Sequence, residues 1–463
     1  MNLTDLSASD QLAGLARDDF SAVELMQATL ERIDEINPQV NAIVSLRDAD
    51  ELLAEAAAPK PGPLSGLPMA IKDLAETKGL RTTYGSPIYA DHVPEADDLM
   101  VARLRAAGAI IIGKTNTPEM GLGSHTYNPI FGATRNPYAL DRSAGGSSGG
   151  AAAALACRMV ALADGSDMMG SLRNPAGWNN VYGFRPTAGL VPKAAEGDTF
   201  SVPFSTSGPM ARNPRDLGLL LSVMAEPNPD VPIRMSRGDF LNLEPDLTGK
   251  RIGWLSDWSG AYPMEEGVLA LCRSALSEME HLGAQIEEIP APFPAEQLWD
   301  SWTTLRSFSI AMGERALWED TPKRALLKPE LQWEIERGLR FNAEDIHKAN
   351  VIRSGWFATA AGLFARFDAL ALPSAQCFPF PVDWTWPHEI AGKTMDTYHR
   401  WMEVVVPVSL AGLPAVAVPA GFMNGLPMGL QLFGKQGSDR ALLNLAEGWH
   451  QATDWPSQRQ TER

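Results

Sequence analysis

The sequence predicts an α/β sandwich, and three observations carry that reading. Apolar runs of strand length alternate with helical patterns along much of the 463 residues, the arrangement expected of helices packed on a sheet. There is no internal repeat, and no linker is long enough to separate independent domains. Finally, residues 145–176 read GGSSGGAAAALACRMVALADGSDMMGSLRNPA, a loop, a short alanine-rich helix, a strand and a second loop in succession.

The elements follow in order. Residues 21–36 form a helix: Ser21 and Glu24 make a capping-box pattern ahead of Leu25, Leu30 and Ile33. The pair Asn37-Pro38 should stop it, because a proline disfavours helical backbone at the residue before it. A further helix is expected over 47–57, then a Pro/Gly-rich connector over 61–68. Met69-Ala70-Ile71 is a short strand ending on Lys72-Asp73. The pattern is helical over 96–108 and becomes a buried strand over 109–112. A helix over 148–159 travels ~17 Å outward at ~1.5 Å per residue. A strand over 160–165 travels ~20 Å back at ~3.3 Å per residue. The two loops should therefore lie side by side, with Ser147 facing Ser171. Residues 182–186 open a region of strands and turns rich in Gly and Pro. Beyond it come a helix over 215–225, a strand over 251–255, a helix over 265–282 and a strand over 284–289. Residues 295–367 are mostly helical and carry Trp299, Trp302, Trp318, Trp333 and Trp356. The run 368–372, an aromatic loop over 378–388, a strand at 415–419 and the run 429–433 complete the pattern.

Composition bounds the function. With 45% hydrophobic and 21% charged residues the chain can build an ample core. A net charge of −17 disfavours a nucleic-acid surface, which needs clustered Lys and Arg. The cysteines, Cys157, Cys272 and Cys377, are odd in number and far apart. They suggest neither a disulfide framework nor a zinc knuckle, and fit a reducing compartment. The first residues, MNLTDLSASDQ, carry no basic and apolar leader pattern. The longest uncharged stretches are too rich in Gly, Ser and Ala to span a bilayer. A soluble cytoplasmic protein is expected, with no nucleic acid or membrane as partner.

Two serines brought together without a nearby histidine need a proton acceptor. Lys72 is the candidate: a lysine among hydroxyls and apolar groups is kept neutral by desolvation and can act as base for a serine nucleophile. Ser147 would relay the proton between Lys72 and Ser171. Consecutive N–H groups in the turn Met168-Met169-Gly170-Ser171 would bind an oxyanion, worth about 3–4 kcal/mol per donor. Two other motifs are set aside. Residues 108–115, GAIIIGKT, match the P-loop expression, but the intervening residues form a buried strand where a phosphate cradle needs a glycine-rich turn feeding a helix. None of the seven histidines has metal-ligand spacing, and His125 is expected to be structural or pocket-lining.

With these residues in view the chain resembles the amidase signature family of serine hydrolases. The signature runs through Gly145-Gly146-Ser147-Ser148-Gly149-Gly150 and on from Asp167 to Ser171-Leu172-Arg173-Asn174-Pro175-Ala176. Further segments that carry it are LERIDEINPQVNAIV, GLPMAIKDL, GKTNTPEMGLGS, NPIFGATRNPY, YGFRPTAGLVP and AGLPAVAVPAGF with GLPMGLQLFG. It covers nearly the whole chain and is weakest over 230–400. The resemblance implies one amidase domain over 1–463, with a catalytic core near 60–215 and a substrate-shaping region near 230–400. Its fold would be a large mixed β-sheet sandwiched between layers of α-helices. It implies Ser171 as nucleophile, Ser147 as bridging serine after a cis peptide from Gly146, and Lys72 as base. Met168, Met169, Gly170 and Gly121 are the candidate oxyanion and substrate-binding positions; no metal and no cofactor are implied. The family usually has Gly or Ala where this chain has Met169, whose Cβ and long side chain should restrict the turn and add apolar bulk.

The expected function is therefore an amidohydrolase that cleaves a small-molecule carboxylic amide through a Ser171 acyl-enzyme. The competing reading is the catalytic component of a tRNA-dependent amidotransferase, its A subunit, which releases ammonia from glutamine for a partner. Met169 and the aromatic segment 384–388 stand against it. A non-catalytic binding protein of the same fold is the third class, and the intact triad argues against that. The tryptophans of 299–401 incline the acyl specificity toward aromatic or apolar groups, although most tryptophans simply fill cores. The expected partner is the small amide substrate, with a homodimer as the candidate assembly.

Overall fold

Side-chain alternation along the strands sorts the apolar residues onto two faces of one sheet. The computed structural model describes residues 2–458 apart from Glu196, Val202 and Arg237. Eleven strands make the sheet. They are β1 (Ile43–Val44), β2 (Pro68–Lys72), β3 (Ile110–Thr115), β4 (Leu162–Asp167), β5 (Tyr182–Arg185) and β6 (Thr206–Ala211). The others are β7 (Arg251–Trp254), β8 (Gln285–Glu288), β9 (Ala369–Pro373), β10 (Ala415–Met423) and β11 (Leu426–Phe433). Their spatial order is β1-β3-β2-β4-β6-β5-β10-β11-β9-β7-β8. The sheet is mixed: β3, β2 and β4 run parallel, as do β9, β7 and β8, and the strands between them pair antiparallel.

Met69 and Ile71, Ile111 and Leu162 pack into one core, whereas Ala70, Ile110, Ile112 and Ala163 pack into the other. The second core is closed by α1 (Ala22–Val40) and α2 (Gly149–Ala156). The short α3 (Arg173–Trp178) is buried throughout. The first core is closed by α4 (Pro214–Met224), α5 (Val268–His281) and α9 (Asp439–Thr453). Helices α6 (Ala295–Gly313), α7 (Pro329–Gly338) and α8 (Ala343–Leu363) come from the tryptophan-rich stretch. Residues of α6 and α7 form a small third cluster with Leu122 and Tyr398. The large mixed sheet between helical layers agrees with the expectation from sequence.

One boundary differs. Helix α1 does not stop at Asn37-Pro38 but continues to Val40. Proline removes a single N–H, whose partner would be the carbonyl of the exposed Asp34, where water can accept instead. Burial of Val40 holds the last turn. The Asn37 side chain then accepts from the N–H groups of Ala42 and Ile43, both at 2.8 Å, and turns the chain into β1.

Helix α2 is the close-packed element. Gly149 through Leu155 are all buried, so an amphipathic pattern would be wrong for it. A Cβ at Gly150 would lie 2.3 Å from the Asn116 nitrogen and 2.7 Å from the Ala42 oxygen, both backbone atoms that cannot swing away. Glycine to alanine normally stabilises a helix by about 0.5–1 kcal/mol. Here the sign should reverse: Gly150→Ala is expected to lower the thermal midpoint by several degrees, as read by circular dichroism.

Candidate active site

Parallel pairing of β2 with β4, in register at Ala70 and Ala163, brings their C-terminal ends to one edge of the sheet. That is where open α/β sheets place ligands. Lys72 is the last residue of β2, and β4 feeds the turn 168–172 that carries Ser171. Helix α2 and β4 return the chain as expected: the two serine-bearing loops touch, with the Ser148 N–H donating to the Ser171 carbonyl at 3.3 Å. The Gly146–Ser147 peptide is cis.

Lys72 is almost wholly buried. Its Nζ donates to Ser147 Oγ at 2.8 Å, to Ser148 Oγ at 2.9 Å and to Ser166 Oγ at 3.1 Å. Burial strips the ammonium of water and pulls its pKa down to about 7, against the opposing pull of Asp164 and Asp167. A lysine in this state is partly neutral at physiological pH and surrounded by hydroxyls that can pass a proton. Asp164 accepts the Lys72 backbone N–H at 2.9 Å, and burial raises its own carboxyl to about 6. The Ser171 hydroxyl opens on a cavity of about 180 Å³ that Ser147 also lines. Among the described residues it makes no hydrogen bond to protein, which leaves it free to meet a ligand.

The turn before Ser171 is held by one carboxylate. Asp167 Oδ1 accepts from the Gly170 N–H at 2.9 Å, and Oδ2 accepts from the Leu172 N–H at 3.2 Å. Arg173 donates to both oxygens through Nε (3.0 Å) and Nη2 (3.1 Å), and Arg185 Nη1 donates to Oδ1 at 3.0 Å. Burial alone would raise this carboxyl, but the two guanidiniums outweigh it and hold it well below the usual carboxylate range. Both arginines are fully buried. Arg173 is further fixed by the Val405 carbonyl, Gln431 Oε1 and Ser409 Oγ.

This clamp corrects one expected role. Gly170 is not an oxyanion donor, because its N–H is committed to Asp167 Oδ1. It supplies instead the left-handed backbone of the turn, with φ of 80°, beneath Val405 and Met402. Among the described residues, the N–H groups of Met169 and Ser171 have no partner and remain available. Met169 keeps a negative φ, a backbone conformation that its side chain tolerates, and it lines the cavity. Met168 and Gly121 line it as well.

Other expectations resolve similarly. No tryptophan lines the cavity among the described residues, so the tryptophans of 299–401 give no ground for an aromatic acyl pocket. Trp384 is 48% exposed and lies outside the cavity, so the segment 384–388 says nothing about glutamine. His125 is buried, its Nδ1 paired with Ser143 Oγ at 2.7 Å and its Nε2 with the Val382 carbonyl at 3.0 Å. It is structural. Residues of the P-loop-like run form buried β3, and Lys114 Nζ donates to the Ala75 carbonyl and Thr77 Oγ1 at 2.6 and 2.9 Å. Sequence reasoning missed Ser148, Ser166, Asp164 and, in the cavity wall, Arg306, Tyr398 and His399. Asp164 and Ser166 were within reach, since residues two apart on a strand share a face. The described residues contain no helix long and apolar enough to cross a membrane.

Comparisons with known proteins show the family and fold of the chain. Residues 24–443 match the family model described as Amidase. The chain is 33% identical to an acylamidase of Rhodococcus erythropolis, over 98% of this chain and 97% of the relative. It is 36% identical to the A subunit of glutamyl-tRNA(Gln) amidotransferase from Thermus thermophilus, over 95% of this chain and 96% of that one. Among solved structures, a bacterial aryl acylamidase of the amidase signature enzymes superposes with a TM-score of 0.91 at 28% identity, covering 98% and 99% of the two chains.

Removing the charge of Asp167 strands two buried guanidiniums, a loss of the kind that costs about 3–5 kcal/mol. Asp167→Asn is therefore expected to lose that much stability in urea unfolding, although it keeps the size of the side chain.

Proposed function

The chain belongs to the amidase family, the amidase signature enzymes, and hydrolyses amide carbon–nitrogen bonds; we propose that it is a free-standing amidase of small acylamides. The observation that carries the reading is a buried lysine with pKa about 7, hydrogen-bonded at 2.8 Å to Ser147 beside the unpartnered Ser171 hydroxyl. Ser171 Oγ attacks the amide carbonyl, and its proton passes through Ser147 to neutral Lys72. The N–H groups of Met169 and Ser171 receive the charge that develops on the carbonyl oxygen. Lys72 then returns the proton through Ser147 to the leaving nitrogen, the C–N bond breaks and the acyl-enzyme remains. Water, deprotonated by the same relay, attacks the ester and frees the acid. Every proton taken from a nucleophile is given to a leaving group, and no cofactor enters.

The acylamide preference is supported by the cavity lining, where Leu74, Met120, Leu122, Met168, Met169 and Ile310 surround the serines. The similarity to amidotransferase A subunits favours a second reading, in which the chain frees ammonia from glutamine for a partner. Assay of the purified chain alone on acetanilide and on glutamine separates the two: hydrolysis of the anilide is expected, and turnover of glutamine alone would favour the second reading.

Two further predictions concern the nucleophile and the base. A fluorophosphonate probe should label Ser171 in the folded protein, with the modified peptide identified by mass spectrometry; an unlabelled Ser171 would remove it as nucleophile. Lys72 must be neutral to accept a proton, so kcat/KM should rise with pH through an apparent pKa of about 7. Lys72→Ala should lower kcat by at least about 100-fold, the scale of general-base loss. Retention of wild-type turnover would exclude Lys72 from the relay.

A further inference from the structure

The wall of the cavity also holds a buried cation whose hydrogen bonds are incompletely used. Arg306 projects from α6, and about 95% of its surface is buried. Its Nε donates to Glu334 Oε1 at 2.8 Å and its Nη2 to the Tyr398 hydroxyl at 2.8 Å. Tyr398 in turn donates to the same Glu334 oxygen at 2.8 Å. These bonds fix the plane of the guanidinium and balance its charge. The remaining nitrogen, Nη1, donates only to Met168 Sδ, at 2.9 Å. A thioether is a weak acceptor, and a charged N–H left to it is poorly satisfied. Met168 precedes Ser171 by three residues, and both line the cavity with Arg306.

Beside Arg306 lies a second unsatisfied group. His399 is buried against Tyr398, stacked at a ring separation of 4.4 Å. Its Nδ1 is paired with Thr397 Oγ1 at 2.9 Å, while its Nε2 has no hydrogen-bond partner. Burial lowers its pKa to about 3, so the ring is neutral. Buried polar atoms in folded proteins are nearly always paired. Nη1, left to a thioether, and the unpartnered Nε2, which stands 3.8 Å from Glu334 Oε1, belong to residues of one cavity wall, and Nη1 marks a place where a ligand can supply a stronger acceptor.

From these contacts we infer that Arg306, oriented by Glu334 and Tyr398, is a specificity residue that binds an uncharged carbonyl oxygen on the substrate, apart from the scissile amide. The electrostatics select a neutral acceptor over a carboxylate. The charge of Arg306 is already matched by Glu334, and Glu314 adds another carboxyl to the lining. An anionic substituent would add a second carboxylate to a cation already paired with Glu334, whereas a ketone or second amide carbonyl takes the N–H without adding charge. The substrate class is thus an amide bearing a second carbonyl. This deepens the amidase reading and rests on it for the identity of the bond cleaved.

The test measures binding apart from turnover, by calorimetry on the Ser171→Ala protein. Three matched ligands serve as probes: levulinic anilide, with a chain ketone; valeric anilide, with a methylene in its place; and succinanilic acid, with a carboxylate there. Levulinic anilide should bind at least about tenfold more tightly than valeric anilide, the lower end of the range for a charged hydrogen bond. It should also bind more tightly than succinanilic acid. Adding Arg306→Lys, which keeps a cation opposite Glu334 but loses the forked N–H groups, should shrink the ketone preference to about twofold or less. Where that variant fails to fold by circular dichroism, the charge-balanced pair Arg306→Gln with Glu334→Gln makes the same comparison. Equal affinity for ketone and methylene ligands, or no binding of any of the three, overturns the proposal. So does a preference for the carboxylate, or a ketone preference that survives the Arg306 replacements. Failure of the catalytic reading shows separately, as hydrolysis that persists in Ser171→Ala, and leaves the binding comparison intact.

Discussion

The buried carboxylate of Asp167 is the constraint on which the rest of the site depends. It stands at the end of β4 and gathers five N–H donations, from Gly170, Leu172, Arg173 and Arg185. Through Gly170 and Leu172 it folds the chain around Ser171. Through the arginines it ties that turn to α3, β5 and, by way of Gln431, to β11. A carboxylate away from water is costly unless charge and hydrogen bonds surround it. The clamp is therefore close to all-or-none, and the geometry of the nucleophile turn inherits its rigidity.

The same desolvation that demands partners for Asp167 sets the chemistry of Lys72. Only hydroxyls meet its Nζ, and no carboxylate forms a direct ion pair with it among the described residues. Asp164 engages the backbone N–H of Lys72 and leaves the ammonium unpaired, so burial prevails and the pKa falls to about 7. Asp167 and Lys72 lie on neighbouring parallel strands, yet one is locked in its charged form and the other is poised to lose its charge. The difference is in what stands beside each group: two guanidiniums in one case, three serines in the other.

Much of this was legible in the chain. Apolar runs and helical patterns marked many of the elements, and the loop-helix-strand-loop arithmetic placed Ser147 next to the Ser171 loop. Where the reading failed, the cause was a tertiary contact. Asn37-Pro38 is a sound stop signal, but it was overridden because burial of Val40 outweighed one solvent-facing bond. Gly170 looked like a backbone donor, and only the fold showed that Asp167 already held its N–H. The tryptophans suggested an aromatic pocket, but Trp299, Trp302, Trp356 and Trp401 fill the core and, among the described residues, no tryptophan lines the cavity.

By itself the sequence determined the alternation of strands and helices, the turn chemistry of the glycine-serine loops, and the residue types able to act as nucleophile, relay and base. These rest on local backbone preference and on short-range spacing, which a linear chain carries openly. Tertiary structure alone decided that the Lys72 ammonium is desolvated among hydroxyls, that Gly170 shapes the turn while Met169 lines the cavity, and that Arg306 meets Glu334 and Met168 in one wall. Those properties depend on which distant segments exclude water from a given atom. Arg306 and Met168 are 138 positions apart, and no local pattern records that they meet.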